Sequence, residues 1–304
     1  DIHRYIADGV RARDGRIYFA PFAARRVICI DPKAQTCREV GPEFVYQGYR
    51  GGGVLAHNGR IYFAPFDAGY VLEIDPETQR VQLLGDPMEG RCCYGVEGVL
   101  GLDKKIYFAP HDATHVLCVD PGQGSVHLVG TALRNRGISG LFQGSGVRAR
   151  NGRIFFAPCN FHSVLCIHAS GDTQLFALEP HPERDEYISG GVLAKNGHIF
   201  FPPERGLPIV HVDPEALVVR YLDFDPGLSL GPGVVGSEDC IYFAPVCCLH
   251  VVRLDRSDCG LQCLGPELVI VDQMNRAAGV SAANGKIFFA PYNSKHVLLS
   301  LIHI

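Results

Sequence analysis

The chain contains no tryptophan and only two methionines among its 304 residues. It has no stretch of helical periodicity, and no apolar run approaches the ~18 residues that a membrane-spanning helix needs. Charge of neither sign dominates. The formal net charge is −4, which gives no electrostatic reason to expect nucleic acid or an anionic membrane as a partner. Twelve cysteines are present, but without the spacing of a disulfide framework and without a Cys-x-x-Cys pair. Cys29, Cys118 and Cys166 fall in one slot of a repeat whose other copies carry Glu73, His211, Arg253 and Leu299. A slot with that range is not a bridge, so the cysteines read as mostly reduced and an intracellular, reducing compartment is favoured. Gly-x-Ser-x-Gly, phosphate-loop and His-Glu-x-x-His signatures are missing too. The chain opens at Asp1 without methionine or a signal-like segment and reads as a processed or excerpted piece.

The dominant feature is a repeat. Its copies begin at Gly9, Gly53, Gly98, Gly146, Gly191, Gly233 and Gly279, with starts 44, 45, 48, 45, 42 and 46 residues apart. In each copy an isoleucine falls 8 residues after the glycine and opens an Ile-aromatic-Phe triplet; a valine or isoleucine follows 10 residues later. Blade-sized units of this length imply four short strands each. In the second copy these are Gly53–Ala56, Arg60–Ala64, Val71–Ile74 and Val81–Leu84. Asn58-Gly59 predicts a tight type I′ hairpin with positive φ at both central residues, and Asp75-Pro76 predicts a turn. Seven such units predict one all-β domain over 1–304, a seven-bladed β-propeller of four-stranded antiparallel blades. A linear solenoid is the alternative, and it leaves the strand edges less protected. The third residue after each repeat glycine is always Ala or Gly, as crowding near an axis would require. The seventh copy ends at Ile304 after its third strand, so the last blade is expected to be incomplete.

These repeats, of the form NG-[RK]-I-[YF]-F-A-P followed by V-L-x-I-D-P, resemble propeller repeats of the broad kelch and YVTN type across essentially the whole chain. They depart from kelch repeats in having Ala-Pro where those carry Gly-Gly, and they lack the Trp-Asp of WD40 repeats. The resemblance implies the fold and no defined activity, so no catalytic residue is carried over from it.

Length varies only from the Asp of each copy to the next glycine. The inward loops there share one face with the loops between second and third strands, and function is expected on that variable face. The inward loops mix arginines with aromatics: Tyr46, Arg50, Arg91, Arg134, Arg136, Arg184 and Arg276 are the candidate contacts for a protein or peptide partner. An aromatic four residues before the glycine (Tyr5, Tyr49, Tyr94, Phe142, Tyr187) reads as packing between blades. The second-to-third-strand loops offer a different set for a small polar ligand: Asp67, His111, Asp112, Asn160, His162, Glu204, Arg205 and Asn293. The bland reading of Asp67, Asp112, Asn160 and Asn293 is a turn residue bonding its own backbone. Cys159-x-x-His162 and Cys247-Cys248-x-His250 do not make a metal site. The expectation is a non-enzymatic interaction or assembly scaffold, with no cofactor or metal and no catalytic residue. A small-ligand or carbohydrate binder, or a hydrolase or lyase using Glu204 and Arg205, is the alternative.

Overall fold

The computed structural model describes residues 4–44, 48–133, 139–179, 187, 189–203, 207–222, 229–236, 238–246, 250–255, 259–265, 279–290 and 298–300. Every regular element among them is a strand. Blade 2 consists of Val54–Leu55, Ile61–Phe63, Val71–Asp75 and Arg80–Leu84, hydrogen-bonded in chain order. Its register sets Ile61 opposite Ile74 and Val71 opposite Leu84. Six sheets have this four-stranded order, and the last has three strands, Val280–Ser281, Ile287–Phe289 and Leu298–Ser300. The chain is an all-β propeller of antiparallel blades, the last of which has three strands among the described residues. Its contacts divide into two compact units, Asp1–Arg148 with Ile167–Gln174, and Ala149–Cys166 with Leu175–Ile304. In the first, the first strands of blades 1 and 2 lie together, as do those of blades 3 and 4; in the second, those of blades 5, 6 and 7 follow one another.

The invariant glycine is explained by the motif phenylalanine ten residues on. A Cβ on Gly9 would lie 2.5 Å from the Phe19 ring, on Gly53 2.6 Å from Phe63, on Gly98 2.4 Å from Phe108, and on Gly279 2.4 Å from Phe289. Each ring closes over its glycine, and Phe63, Phe108 and Phe289 are then sealed from solvent, so glycine and ring are fixed together. The small residue three positions later answers to a ring as well: a Cβ on Gly236 would come within 2.8 Å of Tyr242. Crowding by the blade's own aromatics thus contributes to this pattern.

The hairpin between the first two strands is not type I′. Gly59 has φ +82° while Asn58 does not enter the positive region. Ala56 N–H bonds Arg60 O at 2.8 Å and Gly59 N–H bonds Ala56 O at 3.1 Å, a three-residue loop in which only the last residue is left-handed. Asn58 is used differently: its Oδ1 accepts from Arg60 N–H at 3.1 Å, and its Nδ2 donates at 3.0 Å to Pro121 O in the Asp-Pro turn of blade 3. Asn151 repeats this bond with Pro214 at 3.0 Å. The constant turns therefore stitch neighbouring blades along one face.

The recurring tyrosines stitch the other. Tyr94 N–H donates to Pro65 O of blade 2 at 3.0 Å, and its hydroxyl donates to His115 O of blade 3 at 3.0 Å. Tyr49 spans Pro21 and Tyr70, and Tyr187 spans Pro158 and Pro208, in the same way. These rings are sealed from solvent, which confirms packing between blades rather than partner contact. Phe142 fills the equivalent slot without a hydroxyl, so Tyr94→Phe should fold with its shape intact. It should lose ~1–2 kcal/mol in a denaturant titration, because the His115 carbonyl loses its donor; an unchanged midpoint would show that the hydroxyl adds nothing.

Candidate functional site

The variable face of the first unit is built by loops laced between successive blades. Phe66 and Asp67 N–H both bond Gly48 O at 2.9 Å; Cys93 N–H bonds Phe66 O at 2.8 Å; His111 N–H then bonds Cys93 O at 2.8 Å. Gly48 has φ +110°, and a Cβ there would lie 2.7 Å from the Asp67 side chain, so only glycine lets the loop approach this closely. The inward loops at 48–49 and 92–93 thus each donate to one blade and accept from the next.

The second-slot acids serve this lacing. Asp67 Oδ1 accepts from Cys92 N–H at 3.0 Å. Asp112 Oδ1 accepts from Gly140 N–H at 2.7 Å, and Ser139 Oγ lies 2.8 Å from both Asp112 oxygens. The expectation that these carboxylates bond their own turn is corrected: their partners lie 25 to 28 residues onward, on the inward loop. They hold the face in shape, and both oxygens of Asp112 are already engaged.

Phe66 gathers several of the face's side chains around it. The His111 ring meets it edge-on at 5.3 Å and 76°, Phe22 lies 6.5 Å away, and the exposed Arg50 guanidinium sits 5.1 Å from the Phe66 centroid. That is cation–π geometry, which holds a long side chain in one orientation while its charge stays in solvent. Arg91 is exposed on the next inward loop. His111 is buried, with Nδ1 donating to Asp112 Oδ1 at 2.9 Å. Burial pushes its pKa below the usual histidine range, with Asp112 opposing and Arg50 assisting. The imidazole is therefore neutral near pH 7, its tautomer set by Asp112.

Toward the axial end, Asp8 and Glu97 each precede a repeat glycine. The Glu97 carboxyl packs beside Gly52 and is pushed up, by desolvation first and by Asp8 second. The first strands contribute exposed Arg11 and Arg148, the latter donating to Leu100 O at 2.6 Å.

Asn160 and His162 belong to the second unit. Asn160 Nδ2 donates to Cys159 Sγ at 3.7 Å, and His162 is exposed, with its carbonyl accepting from Leu178 N–H. Tyr46, Arg134, Arg136, Arg184, Glu204, Arg205, Arg276 and Asn293 lie outside the described residues. The ten described cysteines are all free thiols. Among the described residues no cluster of three or more His, Cys, Asp or Glu side chains could hold a metal, and no helix is long and apolar enough to cross a membrane.

Sequence reasoning read the slot shared by Cys29, Glu73, Cys118, Cys166, His211 and Arg253 only as evidence against a disulfide bridge. In the described registers it lies directly across from the motif aromatic, as Tyr62↔Glu73, Tyr107↔Cys118 and Phe200↔His211. Burial there pushes the Cys118 thiol up to about 11 and the Cys166 thiol up to about 12. Glu73 Oε1 takes Arg60 at 3.0 Å and Gln82 at 2.7 Å. His211 stacks between Phe200, at 5.0 Å, and His198, at 4.9 Å. Arg220 Nε donates to His211 Nδ1 at 3.1 Å, so Nε2 carries the proton and donates to His198 Nδ1 at 2.7 Å. Burial first, then the His198 and Arg220 charges, push the His211 pKa down to about 4.

Neither a family model nor a curated protein sequence matches this chain. Solved structures match it over nearly its whole length. It is similar to a streptogramin B lyase, at 15% identity and a TM-score of 0.63 over 94% of this chain and 90% of that one. It is likewise similar to virginiamycin B lyase from Staphylococcus aureus, at 13% identity and 0.65 over 94% and 91%. The extracellular domain of a hybrid two-component system from B. thetaiotaomicron matches at 10% identity and 0.61, over 98% of this chain and 38% of that one. At such identities the likeness establishes the fold, a β-propeller, in agreement with the repeated sheets.

Proposed function

We propose that this propeller is a non-catalytic scaffold that binds a protein or peptide partner through its variable face, with Arg50 and Arg91 as contacts. The observation that carries this reading is the exposed Arg50 guanidinium, already stacked on Phe66. A pre-oriented arginine presents its forked donors at a reduced entropic cost and suits a carboxylate-bearing partner. The acids that would serve a polar small ligand, Asp67 and Asp112, are engaged in holding loops. The alternative, a small-ligand or carbohydrate site or a hydrolase- or lyase-type centre, draws on the His111–Asp112 pair, a base with an orienting carboxylate. The burial of His111 behind Phe66 weighs against it.

The test is affinity capture from source lysate with the native chain and with an Arg50→Ala/Arg91→Ala variant of equal melting temperature. A protein retained by the native chain and reduced about tenfold on the variant is the expected result. Equal capture by both would remove these arginines as the contact. No capture, together with a melting shift on adding sugars or divalent cations, would favour the alternative.

A further inference from the structure

Among the described residues the fourth strand of each four-stranded sheet has no strand on its far edge, and some of these edges carry charges that discourage further pairing. Thr36–Val40 has Arg38 and Glu39, and Arg80–Leu84 has Arg80. The outer strand of blade 3, Ser125–Val129, reads SVHLV, with no charged residue and no proline. It is five residues long and paired in unbroken register with Val116–Asp120, from Val116↔Val129 to Asp120↔Ser125. Among the described residues its other edge has no strand. Leu128 stands on it at 58% exposure. This is the profile of an edge left open to pair.

The same strand forms one wall of a cleft of about 580 Å³, a size typical of binding clefts. The opposite wall is the inward loop after blade 2. Gly85, at φ +80°, brings that loop in so closely that a Cβ would lie 2.9 Å from the Val126 Cβ. Met88, Val126 and Leu128 give these walls an apolar lining, to which Asp86 and Glu89 add carboxylates. Asp112 also lines it, but its oxygens already serve Ser139, Gly140 and His111. Asp86 and Glu89 are exposed, and neither carboxylate makes an ion pair or side-chain hydrogen bond among the described residues. No lysine or arginine is among the residues lining the cleft.

We infer that this cleft takes an extended, lysine- or arginine-bearing peptide segment, which adds a strand to Ser125–Val129 and sets its basic side chains against Asp86 and Glu89. Main-chain bonds to the free edge would supply affinity, and alternate side chains would supply selection, one face meeting Leu128 and Met88 and the other the carboxylates. The surface is separate in chemistry from the Arg50–Arg91 contact: it selects cations, whereas those arginines select anions.

The experiment uses two end-capped probes of about eight residues, one alternating lysine with valine and one alternating glutamate with valine, with binding read by fluorescence anisotropy. The native chain should bind the lysine probe at least about tenfold more tightly than the glutamate probe, and less tightly as salt rises. Leu128→Lys and the Asp86→Asn/Glu89→Gln pair, all at exposed positions, should each weaken the lysine probe about tenfold while leaving the melting temperature unchanged. Arg50→Ala should leave it unaltered. Backbone amides of 125–129 should exchange more slowly with the probe bound. Equal affinity for both probes, no binding of either, or binding indifferent to these variants would overturn the proposal. So would a self-associated native chain that Leu128→Lys renders monomeric, since the edge would then pair with a second copy.

Discussion

Replacing Phe63 by alanine should cost ~3–5 kcal/mol, and adding Gly53→Ala to that variant should cost almost nothing more. Phe63 is sealed from solvent, and its ring lies 2.6 Å from where a Cβ on Gly53 would stand. In the native background Gly53→Ala therefore drives a methyl into the ring and should cost ~1–3 kcal/mol by overpacking. Once the ring is gone the methyl occupies part of the cavity. The double-mutant cycle, measured by denaturant unfolding, should show a favourable coupling comparable to the cost of Gly53→Ala alone. Strict additivity would mean that the glycine is retained for some reason other than the ring. The same pairing recurs at Gly98 with Phe108 and at Gly279 with Phe289, so one cycle speaks for the repeat.

Lowering the pH from 7 to 4 should remove ~2–3 kcal/mol of stability through His211 alone. The folded pKa is pushed down to about 4 from an ordinary value of 6.5. Between those values the unfolded chain takes up a proton that the folded one refuses. Stability is therefore complete above pH 6.5, falls as the pH drops toward 4, and levels off below. Glu97 acts in the opposite direction because its pKa is raised. The His211 component is isolated by comparing the native chain with His211→Leu, the residue that blade 7 carries in this slot. The variant's stability should be markedly flatter between pH 6.5 and 4; parallel curves would show that His211 titrates normally.

The repeat was legible because its determinants are local. The glycine, its ring and the hairpin that brings them together lie within eleven residues. The hairpin type was misread because Asn-Gly satisfies two loop geometries, and only hydrogen-bond register separates them. Lys104 at φ 68° and Asp239 at φ 71° occupy the glycine's place in blades 3 and 6, so the loop demands one left-handed residue rather than two. The variable face was marked by its length variation, but its internal bonds were hidden. Nothing in the sequence near Asp67 points to Cys92, or near Asp112 to Gly140, because those bonds join different blades. The contact between His198 and His211 escaped notice for a related reason: it joins residues 13 apart, one of them in a slot whose variety looked like tolerance. The cleft beside Ser125–Val129 is assembled from three separate segments and has no sequence signature.

The division between constant and variable faces is tested most directly by hydrogen exchange on the captured complex. Slowed exchange should concentrate in the loops at 66–70 and 85–94, around Arg50 and Arg91, and leave the turns at 56–60 and 75–80 unchanged. Protection confined to those turns would place the partner on the face that the repeat holds constant, and the account would be wrong about where this propeller binds.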